Sequence, residues 1–480
     1  MRSNKFQNAL GMVDPELVSR ANEKLKRFYK YRRMVISVAA VLAVAIVTGA
    51  FWWIGSRDGL GAPSSWWNDE GESENYDPLS FGKYLIVGAN YPIMAKYPDI
   101  NADNRPELYE AWKNDRDKQK AYFGAGEGLE DFFAKSVREF LLGRGTGNSV
   151  YSPLNVYFAI AMIAENVSAN ERGSILELLG VENIEELRTK VNAIWNANYS
   201  DEGTVKSVFT NSLWLDKDVG ADEALVDTLV KSYHASVFEG DFGSTEYDFA
   251  VRSWINEHTG GLVDKLSDVK FDPVALVAFV STVEFNARWS DEFDPALTME
   301  RTFHSPDGKI KCDFMYDERI TGYYTGENFS AVKSYLLNSG AVTFILPDKD
   351  CSVETLLSDP EAIAFLFDNS KAEVHKNMKV KLSVPKFEIQ SDMDLMQGLE
   401  DLGIDLESIS CEDGGFISEI RHGAAVSIDE KGVKAAAVTI SQKVESIPNG
   451  EVSFVLDRPF MFVITGEDGL PLFVGIVNHP

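Results

Sequence analysis

The sequence contains very little cysteine. Its 480 residues include three cysteines, Cys312, Cys351 and Cys411, and three is too few, and odd in number, for a disulfide framework. No CxxC pair or Cys/His cluster occurs, and the six histidines are scattered without the spacing of metal ligands. The sequence therefore predicts no metal site, and nothing in it indicates a cofactor.

Signatures of catalysis and an excess of basic residues are also absent. There is no P-loop, no HExxH and no GxSxG, so we expect a protein that is not an enzyme. Lysine and arginine number 46 against 74 aspartates and glutamates, which gives a net charge of −28. Because a nucleic-acid-binding protein needs a basic face, this balance argues against nucleic acid as a partner.

The charge is divided unevenly along the chain. Residues 1–33 carry nine basic and three acidic side chains (+6), residues 34–54 carry none, and the remainder carries −34. As a helix, the 21 uncharged residues would span roughly 31 Å, the thickness of a hydrocarbon core. Trp52 and Trp53 end this stretch where an interfacial aromatic belt would lie. The sequence therefore predicts a transmembrane helix over residues 34–54.

The basic residues on one side of this stretch predict its orientation. By the positive-inside rule, residues 1–33 form a cytoplasmic head of a single-pass cell-membrane protein, and the main domain is extracellular. A cleavable signal peptide is the alternative, with an apolar region of about 7–15 residues behind a short basic start. The longer apolar run and the 33-residue head favour an uncleaved anchor. The low number of cysteines, together with an anchor whose basic flank lies in the cytoplasm, fits a prokaryotic cell surface better than a eukaryotic one.

The rest of the chain divides by composition. Residues 55–78 mix glycine, serine, proline and acids, which is typical of a linker. Residues 79–127 contain short apolar pieces and a helix predicted around Pro106–Tyr122, and we expect an extension packed on the main domain. In residues 128–480 helices come early and strands late, which predicts an α+β domain with large mixed or antiparallel sheets. The β-rich runs lie at 205–215, 275–285, 340–347, 380–389, 451–456, 459–465 and 471–478.

One segment near the C-terminus has features of both a loop and a strand. Residues 429–450 read DEKGVKAAAVTISQKVESIPNG, with Gly432 at a hinge-like position and no proline before Pro448. The residue types are compatible with a central β-strand. With a period of two, one face is small or medium-sized and uncharged, and could enter between existing strands. That face comprises Val433, Ala435, Ala437, Thr439 and Ser441.

Together with other motifs, this segment resembles the reactive loop of the serpins, the serine protease inhibitors. Glu430-Lys431-Gly432 and the alanines that follow are similar to the family's hinge, and FVLDRPFMFVI at 454–464 matches the signature beside the loop. The resemblance spans Gly128 to Pro480. Further matching segments are NSVYSPLN at 148–155, WINEHTGGLVDKL at 254–266 and FNARW at 285–289.

The resemblance implies the serpin fold and assigns residues to it. The reactive loop (residues 430–450) would be exposed, and its hinge residues are Glu430, Gly432, Val433, Ala435, Ala436, Ala437, Val438 and Thr439. Trp289 would lie under the point where the loop inserts, at the breach. The shutter residues are Ser152, Asn155, Ser281 and His422. Ser281 is a departure, because the family usually has an asparagine there.

The resemblance also implies a mechanism. A target serine protease attacks the loop as a substrate and forms an acyl-enzyme, and the cleaved loop then inserts as a new central strand that carries the protease with it. Insertion must outrun deacylation, which requires small hinge residues without an inward-facing charge. The alternative is a non-inhibitory serpin-like surface binding module. In either case we expect a monomer.

Two neighbouring bonds are the main candidates for the scissile bond of the loop. The family's usual loop has seventeen residues up to the cut. Counted from Glu430, this length places the cut between Ser446 and Ile447. Ser446-Ile447-Pro448 instead resembles a common sequence after the cut, which would place the cut after Glu445. Glu445 would suit a glutamyl-endopeptidase-like protease, and Val444 or Ser446 an elastase- or subtilisin-like one. A cysteine protease is a further candidate target.

Overall fold

The computed structural model describes residues 80–99, 101–169, 171–259, 270–271, 273, 276–404, 406, 417–433 and 448–480. Within these ranges no helix is long and apolar enough to span a bilayer. The predicted head (1–33), transmembrane helix (34–54) and linker (55–78) lie outside the described residues. They stay predictions, as do the boundaries proposed for the domains.

Ten α-helices form in the described residues. Five of them begin at a capping residue whose side chain accepts the backbone N–H three residues further on. These caps are Ser152, Asn183, Asp222, Ser244 and Ser352. The helices are α1 Arg105–Lys120, α2 Glu130–Leu141, α3 Pro153–Asn166, α4 Arg172–Leu178, α5 Ile184–Asn198, α6 Glu223–Tyr233, α7 Thr245–His258, α8 Val353–Ser358, α9 Pro360–Phe367 and α10 Met396–Asp401. Helix α1 confirms the helix predicted around Pro106–Tyr122.

Seventeen strands are present in the same part of the chain. They are β1 Leu85–Val87, β2 Ser149–Tyr151, β3 Ser200–Asp201, β4 Val205–Asp216, β5 Ala235–Gly240, β6 Val277–Arg288, β7 Met299–Ser305, β8 Gly308–Thr325, β9 Phe329–Tyr335, β10 Ala341–Pro347, β11 Glu373–Pro385, β12 Phe387–Asp394, β13 Ile417–Ile428, β14 Gly432–Val433, β15 Gly450–Val455, β16 Phe460–Thr465 and β17 Pro471–Val477.

The strands form two large sheets. The first has the order β1-β5-β4-β6-β14-β13-β12, with β3 beside β4, and the second has the order β15-β11-β8-β9-β10-β16-β17-β2, with β7 beside β8. Most neighbours are antiparallel, but β4–β5, β6–β13 and β11–β15 are parallel. These mixed sheets and their helices confirm the predicted α+β class.

Strand β6, at the centre of the first sheet, is covered on both faces along most of its length. Phe279, Val283 and Phe285 of β6 face the main core, which also surrounds α3 on all sides, whereas Ala278 and Val280 face a second apolar cluster under α7. Strands covered on both faces read as nearly continuous apolar runs, as residues 275–285 do. A strand that joined this sheet beside β6 would therefore bury its core-facing side chains, while its other face would lie beside the half-buried Glu284 and Asn286 near the opening.

The residues before the main domain contact the edge of this sheet. Strand β1 pairs with β5, and the 3₁₀ turn Ser80–Tyr84 precedes it. The ring of Tyr84 lies 4.8 Å from that of Tyr247 on α7, and Phe81 lies 6.1 Å from Phe238 on β5. Residues 80–87 therefore extend the first sheet at the edge away from β13.

Candidate functional site between the central strands

The two central strands of the first sheet are joined at one end and separate at the other. Strand β13 runs parallel to β6 from Ile417 opposite Val277 to Gly423 opposite Thr282. Beyond that point, residues 424–427 of β13 and 283–286 of β6 do not pair with each other in the described structure. The two strands thus leave an opening that faces the start of the reactive loop.

The short strand β14 lies in this opening. It pairs antiparallel with both neighbours: Val433 is opposite Ile428 of β13 and also opposite Ala287 of β6. The Val433 side chain is buried in the main core. The first two residues of the loop after its turn, Gly432 and Val433, are therefore already part of the sheet.

A tight turn directs the chain from β13 into β14. The Asp429 carboxylate accepts the N–H groups of Lys431 and Gly432, with O–N distances of 2.8 and 3.2 Å. A Cβ at Gly432 would lie 2.2 Å from the Ala287 carbonyl oxygen, so only glycine allows the two backbones to approach this closely. Gly432, the predicted hinge residue, therefore lies in close contact with the β6 backbone at the start of β14.

Glu430 is fixed by two distant side chains. Its carboxylate accepts a hydrogen bond from the Thr298 hydroxyl at 2.9 Å and forms an ion pair with Lys386 at 3.0 Å. Burial by itself would raise the pKa of Glu430, but hydrogen bonds from its own backbone, Lys386 and Thr298 together lower that pKa. The Glu430 carboxylate is therefore charged at neutral pH and ties the turn to neighbouring elements.

Trp289 holds the turn through two hydrogen bonds. Its backbone N–H donates to the Lys431 carbonyl at 3.0 Å, and its indole N–H donates to the Asp429 carbonyl at 2.9 Å. The indole is buried, with ring centroids 5.9 Å from Phe293 and 6.4 Å from Phe344. The residue predicted at the breach thus contacts the start of the loop directly.

The predicted shutter residues lie at the closed end of the opening, and all four are fully buried. His422 is opposite Ser281 in the parallel pair, and its Nε2 accepts the backbone N–H of Ser152 at 2.9 Å. Burial lowers the pKa of His422 to about 3, so the imidazole is neutral and can act as an acceptor. Ser152 also caps α3 through the backbone N–H of Asn155.

Two shutter side chains lack hydrogen bonds. Within the described residues, neither the Ser281 hydroxyl nor the side-chain amide of Asn155 has a hydrogen-bond partner. Most buried polar groups are paired, and an unpaired one costs about 1–3 kcal/mol. Ser281 stands where an asparagine was expected, and its shorter side chain finds no partner here. The shutter is therefore under-satisfied in this conformation.

The far end of the loop is anchored on the second sheet. The Asn449 backbone N–H donates to the Asn377 carbonyl at 2.8 Å, and β15 then pairs with β11. The intervening residues 434–447 lie outside the described residues. They include the predicted hinge residues Ala435, Ala436, Ala437, Val438 and Thr439 and the scissile-bond candidates Val444, Glu445, Ser446 and Ile447.

Comparison with known proteins assigns the chain to a family. The sequence model for the serpins, described as serine protease inhibitors, matches residues 127–480. The chain belongs to the serpin family. It is similar to Serpin-ZX of Arabidopsis thaliana, 26% identical over 362 residues that cover 69% of this chain and 92% of that protein. It is also similar to Serpin-Z1 of the same plant, 28% identical over 358 residues that cover 69% and 89%.

Solved structures share the serpin fold with this chain. Tengpin, a thermophilic serpin in its native state, has a TM-score of 0.64 at 24% identity and covers 82% of this chain and 98% of its own. AtSerpin1 of Arabidopsis, in a native stressed conformation, gives 0.62 at 23%, covering 76% and 98%. Human thyroxine-binding globulin gives 0.65 at 22%, covering 75% and 99%. The predicted serpin fold is confirmed, and a family of inhibitors agrees with the expectation that this chain is not an enzyme.

In this serpin the structure also brings in residues that sequence reasoning missed. Asp429 forms the turn, and an Asp-x-x-Gly sequence after a strand is a recognisable turn signal. Thr298 and Lys386 bind Glu430 but had no local signal, since Thr298 is 132 residues away along the chain. The hinge, shutter and breach roles of the residues described above stay predictions, now with a defined geometry.

Proposed function

We propose that this serpin is an irreversible suicide-substrate inhibitor of serine proteases, which traps the acyl-enzyme by inserting its cleaved reactive loop between β6 and β13. The observation that carries the proposal is the opening between these strands, with β14 already paired to both. The loop's own sequence supports it, because no proline and no inward charge occur from Val433 to Thr439. The protein would act as a monomer and would be consumed with its target.

The register of β14 specifies where an inserted loop would lie. Gly432 is opposite Arg288 and Val433 opposite Ala287, so continuing the pairing places Lys443 opposite Val277, the first residue of β6. On the other side, Val444 comes opposite Ile417, the first residue of β13. Both strands therefore end level with the candidate scissile bonds. Cleavage at residues 444–447 would release a strand of the length that the sheet can accept.

The side chains of such a strand fit their new neighbours. In this register Ala435 and Ala437 would lie beside Phe285 and Val283, where small residues suit an already filled core. Thr439 would come level with the shutter, beside Ser281. A hydroxyl at this place could hydrogen-bond to the Ser281 hydroxyl, which has no partner within the described residues.

Insertion would also improve the backbone pairing of the sheet. The inserted strand would be antiparallel to both β6 and β13, and it would replace their parallel contact and fill the unpaired stretch. Antiparallel pairs are somewhat more stable than parallel ones, and each net hydrogen bond contributes about 1 kcal/mol. The native arrangement would therefore store free energy that cleavage of the loop releases.

The proposal includes a location and a target. Residues 34–54 would anchor the inhibitor in the cell membrane, with residues 1–33 in the cytoplasm and the serpin domain outside, as the charge division supports. The organism would be prokaryotic. The target would be an elastase-, subtilisin- or glutamyl-endopeptidase-like serine protease, or a cysteine protease, depending on which bond from Val444 to Ile447 is cut.

A non-inhibitory binding module is the second candidate function. The fold does not decide between the two, because human thyroxine-binding globulin, solved in complex with thyroxine, has a TM-score similar to that of AtSerpin1. The uncharged inward face of residues 433–441 favours inhibition, since a binding module has no need of an insertable strand.

The direct test is formation of a covalent complex. The full chain in detergent is incubated with elastase, subtilisin and glutamyl endopeptidase, and the products are separated on denaturing gels. We expect a band at the summed mass with at least one protease, and none with the same protease lacking its nucleophile. Mass spectrometry of the released C-terminal peptide would identify the scissile bond. Cleavage in the loop without such a band for any protease would favour the binding module.

A further inference from the structure

Residues 80–97, here called the edge segment, follow the outer edge of the first sheet. Strand β1 pairs with β5, and just beyond it the Ala89 N–H donates to the Ser236 hydroxyl of β5 at 3.0 Å. Further along, the Tyr97 N–H donates to the Glu202 carbonyl, next to β3, at 2.7 Å. The edge segment is therefore fixed to the sheet near both of its ends and lines this edge of the molecule.

The outer side of the edge segment exposes apolar side chains. Leu85, Ile86 and Val87 of β1 are 42, 42 and 37% exposed, and Ile93 is completely exposed. Strand β1 is the last strand of its sheet in the described residues, so no neighbouring strand covers it there. Soluble proteins commonly protect such an edge with charged side chains, and apolar side chains exposed together mark an interaction surface. The edge segment thus has the character of a surface that meets an apolar partner.

The charge around the edge segment differs from that of the rest of the chain. Residues 79–98 contain no aspartate or glutamate, although the chain beyond the uncharged stretch carries −34 in total. Acidic residues stand on either side, at Asp77 and Asp99, and the only charged side chains between them are Lys83 and Lys96. An apolar surface with basic and no acidic residues suits a bilayer with anionic lipids, which attracts lysine and repels carboxylates.

The preceding part of the chain brings the edge segment to the membrane. The predicted transmembrane helix ends at residue 54, and the predicted linker contributes 24 residues before the described structure begins at Ser80. A flexible linker of this length has a root-mean-square reach of about 27 Å, so the edge segment is the first part of the serpin domain within reach of the bilayer. Such tethering gives the segment a high effective concentration at the lipid surface. A bilayer is therefore the apolar partner that this edge meets first.

We propose that the edge segment lies on the outer surface of the membrane that anchors the protein. The proposal rests on the anchor of the proposed function and adds which side of the serpin domain faces the lipid. The apolar side chains of the edge segment enter the headgroup region, where an interfacial segment typically lies about 5–10 Å deep. Lys83 is exposed, with its ammonium 4.7 Å from the centroid of the Tyr84 ring, and would contact lipid phosphates.

This contact sets how the serpin domain stands on the membrane. In the order β1-β5-β4-β6-β14, the opening lies four strand spacings from the edge, or about 19 Å from β1. The strands then lie roughly parallel to the membrane plane, and the twist of the sheet turns them within that plane. Because the loop inserts along the strands, a trapped protease would be carried along the membrane surface and not into it.

Quenching of a site-specific label tests which edge of the sheet meets the lipid. The full chain is reconstituted into vesicles of phosphatidylethanolamine and phosphatidylglycerol, with its cysteines replaced by Cys312→Ser, Cys351→Ser and Cys411→Ser. A fluorophore is attached through Ile93→Cys on the edge segment, or through Glu388→Cys on β12, the exposed opposite edge, as the matched control. We expect nitroxide-labelled lipids to quench most of the emission at position 93 and acrylamide in the water to quench little, and the reverse at position 388.

A charged substitution tests whether the contact depends on the apolar side chains. In the Ile93→Cys protein we expect Ile86→Asp to remove most of the lipid quenching, since a carboxylate is unfavourable in the headgroup region beside anionic lipids. Val374→Asp, which changes a similarly exposed apolar residue on β11, is the control and should leave the quenching unchanged. Circular dichroism establishes that each variant is folded. Lipid quenching that persists in folded Ile86→Asp would contradict contact through the apolar edge.

Three further results would overturn the contact, and each has a different meaning. Equal quenching by acrylamide at both positions, in protein that floats with the vesicles, would leave the anchor in place and remove the edge contact. Protection from acrylamide at position 93 without quenching by lipid would mean that protein, such as a second copy of the chain, covers the edge. A wild type that does not float with the vesicles would contradict the anchor itself. Absence of a covalent complex with any protease would instead contradict the inhibitory function and leave the edge contact standing.

Discussion

At the scale of single residues, the site places a charge at its rim and neutral polar groups in its interior. Glu430 stays ionised because Lys386 and Thr298 offset the cost of its burial. His422 stays neutral because full burial lowers its pKa to about 3. The charged Glu430 thus holds the turn through its ion pair and hydrogen bond. The neutral His422 places a polar group in the core without a charge.

The depressed pKa of His422 predicts a loss of stability in mild acid. In the unfolded chain this histidine has a pKa of about 6.5 and is protonated in mild acid, whereas in the folded protein it stays neutral. Its contribution to the free energy of unfolding is therefore complete above pH 6.5 and is lost as the pH falls toward 3. Between pH 7 and 5 the loss should be about 2 kcal/mol. Urea unfolding at both pH values, compared with His422→Gln, checks this. An equal pH dependence in the variant would contradict it.

Sequence reasoning at this scale found the residues but not their contacts. The local motifs predict Gly432 and Trp289 at the hinge and the breach, and both contact the start of the loop, while their roles stay predictions. The partners of Glu430 could not be predicted, because Thr298 and Lys386 come from remote segments that only the fold brings together. That the Ser281 hydroxyl has no hydrogen-bond partner among the described residues likewise depends on distances that a sequence does not contain.

At the scale of elements, β14 defines where the proposed insertion would begin. Its two residues pair with β6 on one side and with β13 on the other, and this pairing sets the register of any strand that continues from β14. The neighbouring strands have twelve residues each, which is the length that the loop can fill up to its scissile bond. The alternation of side chains then decides which loop positions must tolerate burial in the main core.

This alternation predicts the effect of a charge at one loop position. Ala437→Glu would place a carboxylate beside Val283 in the core on insertion, at a cost of several kcal/mol. We expect the variant to be cleaved by the target protease with little covalent complex, because deacylation then outruns insertion. Lys434→Glu, of opposite parity, is the control and should still form the complex. Equal yields of complex from both variants would refute the register.

The elements themselves were only partly predictable. The apolar runs at 205–215, 275–285 and 471–478 match β4, β6 and β17, because these strands are buried along most of their length. Strand β8 was missed, since its eighteen residues are mostly half-buried or exposed and carry many charges. The parallel pairing of β13 with β6 joins segments far apart in the chain, and no local pattern encodes it.

At the scale of the whole molecule, the uneven charge along the chain and the opening in the first sheet together support the proposal of a membrane-anchored inhibitor. Net charges of +6 on residues 1–33 and −34 on residues 55–480 flank the uncharged stretch 34–54. The serpin match covers residues 127–480, and one main core packs against both sheets around the opening. The inhibitor would therefore act on proteases that reach the outer surface of its own cell.

The proposed topology predicts the outcome of protease shaving. Intact cells that express the protein with an N-terminal tag are treated with an added protease. We expect the serpin domain to be lost while residues 1–33 stay protected with the tag, because the membrane shields only the cytoplasmic side. A permeabilised sample is the control and should lose the tag as well. Loss of the tag from intact cells would contradict the orientation.

Hydrogen exchange in the opening tests the central claim, insertion of the loop between β6 and β13. Exchange is measured by mass spectrometry in residues 283–286 and 424–427, before and after the loop is cut between Val444 and Ile447. The account predicts that exchange in both segments slows by about tenfold or more on cleavage, because backbone groups without a partner among the described residues then join an antiparallel strand. Equal exchange rates in the intact and cleaved protein would contradict the account.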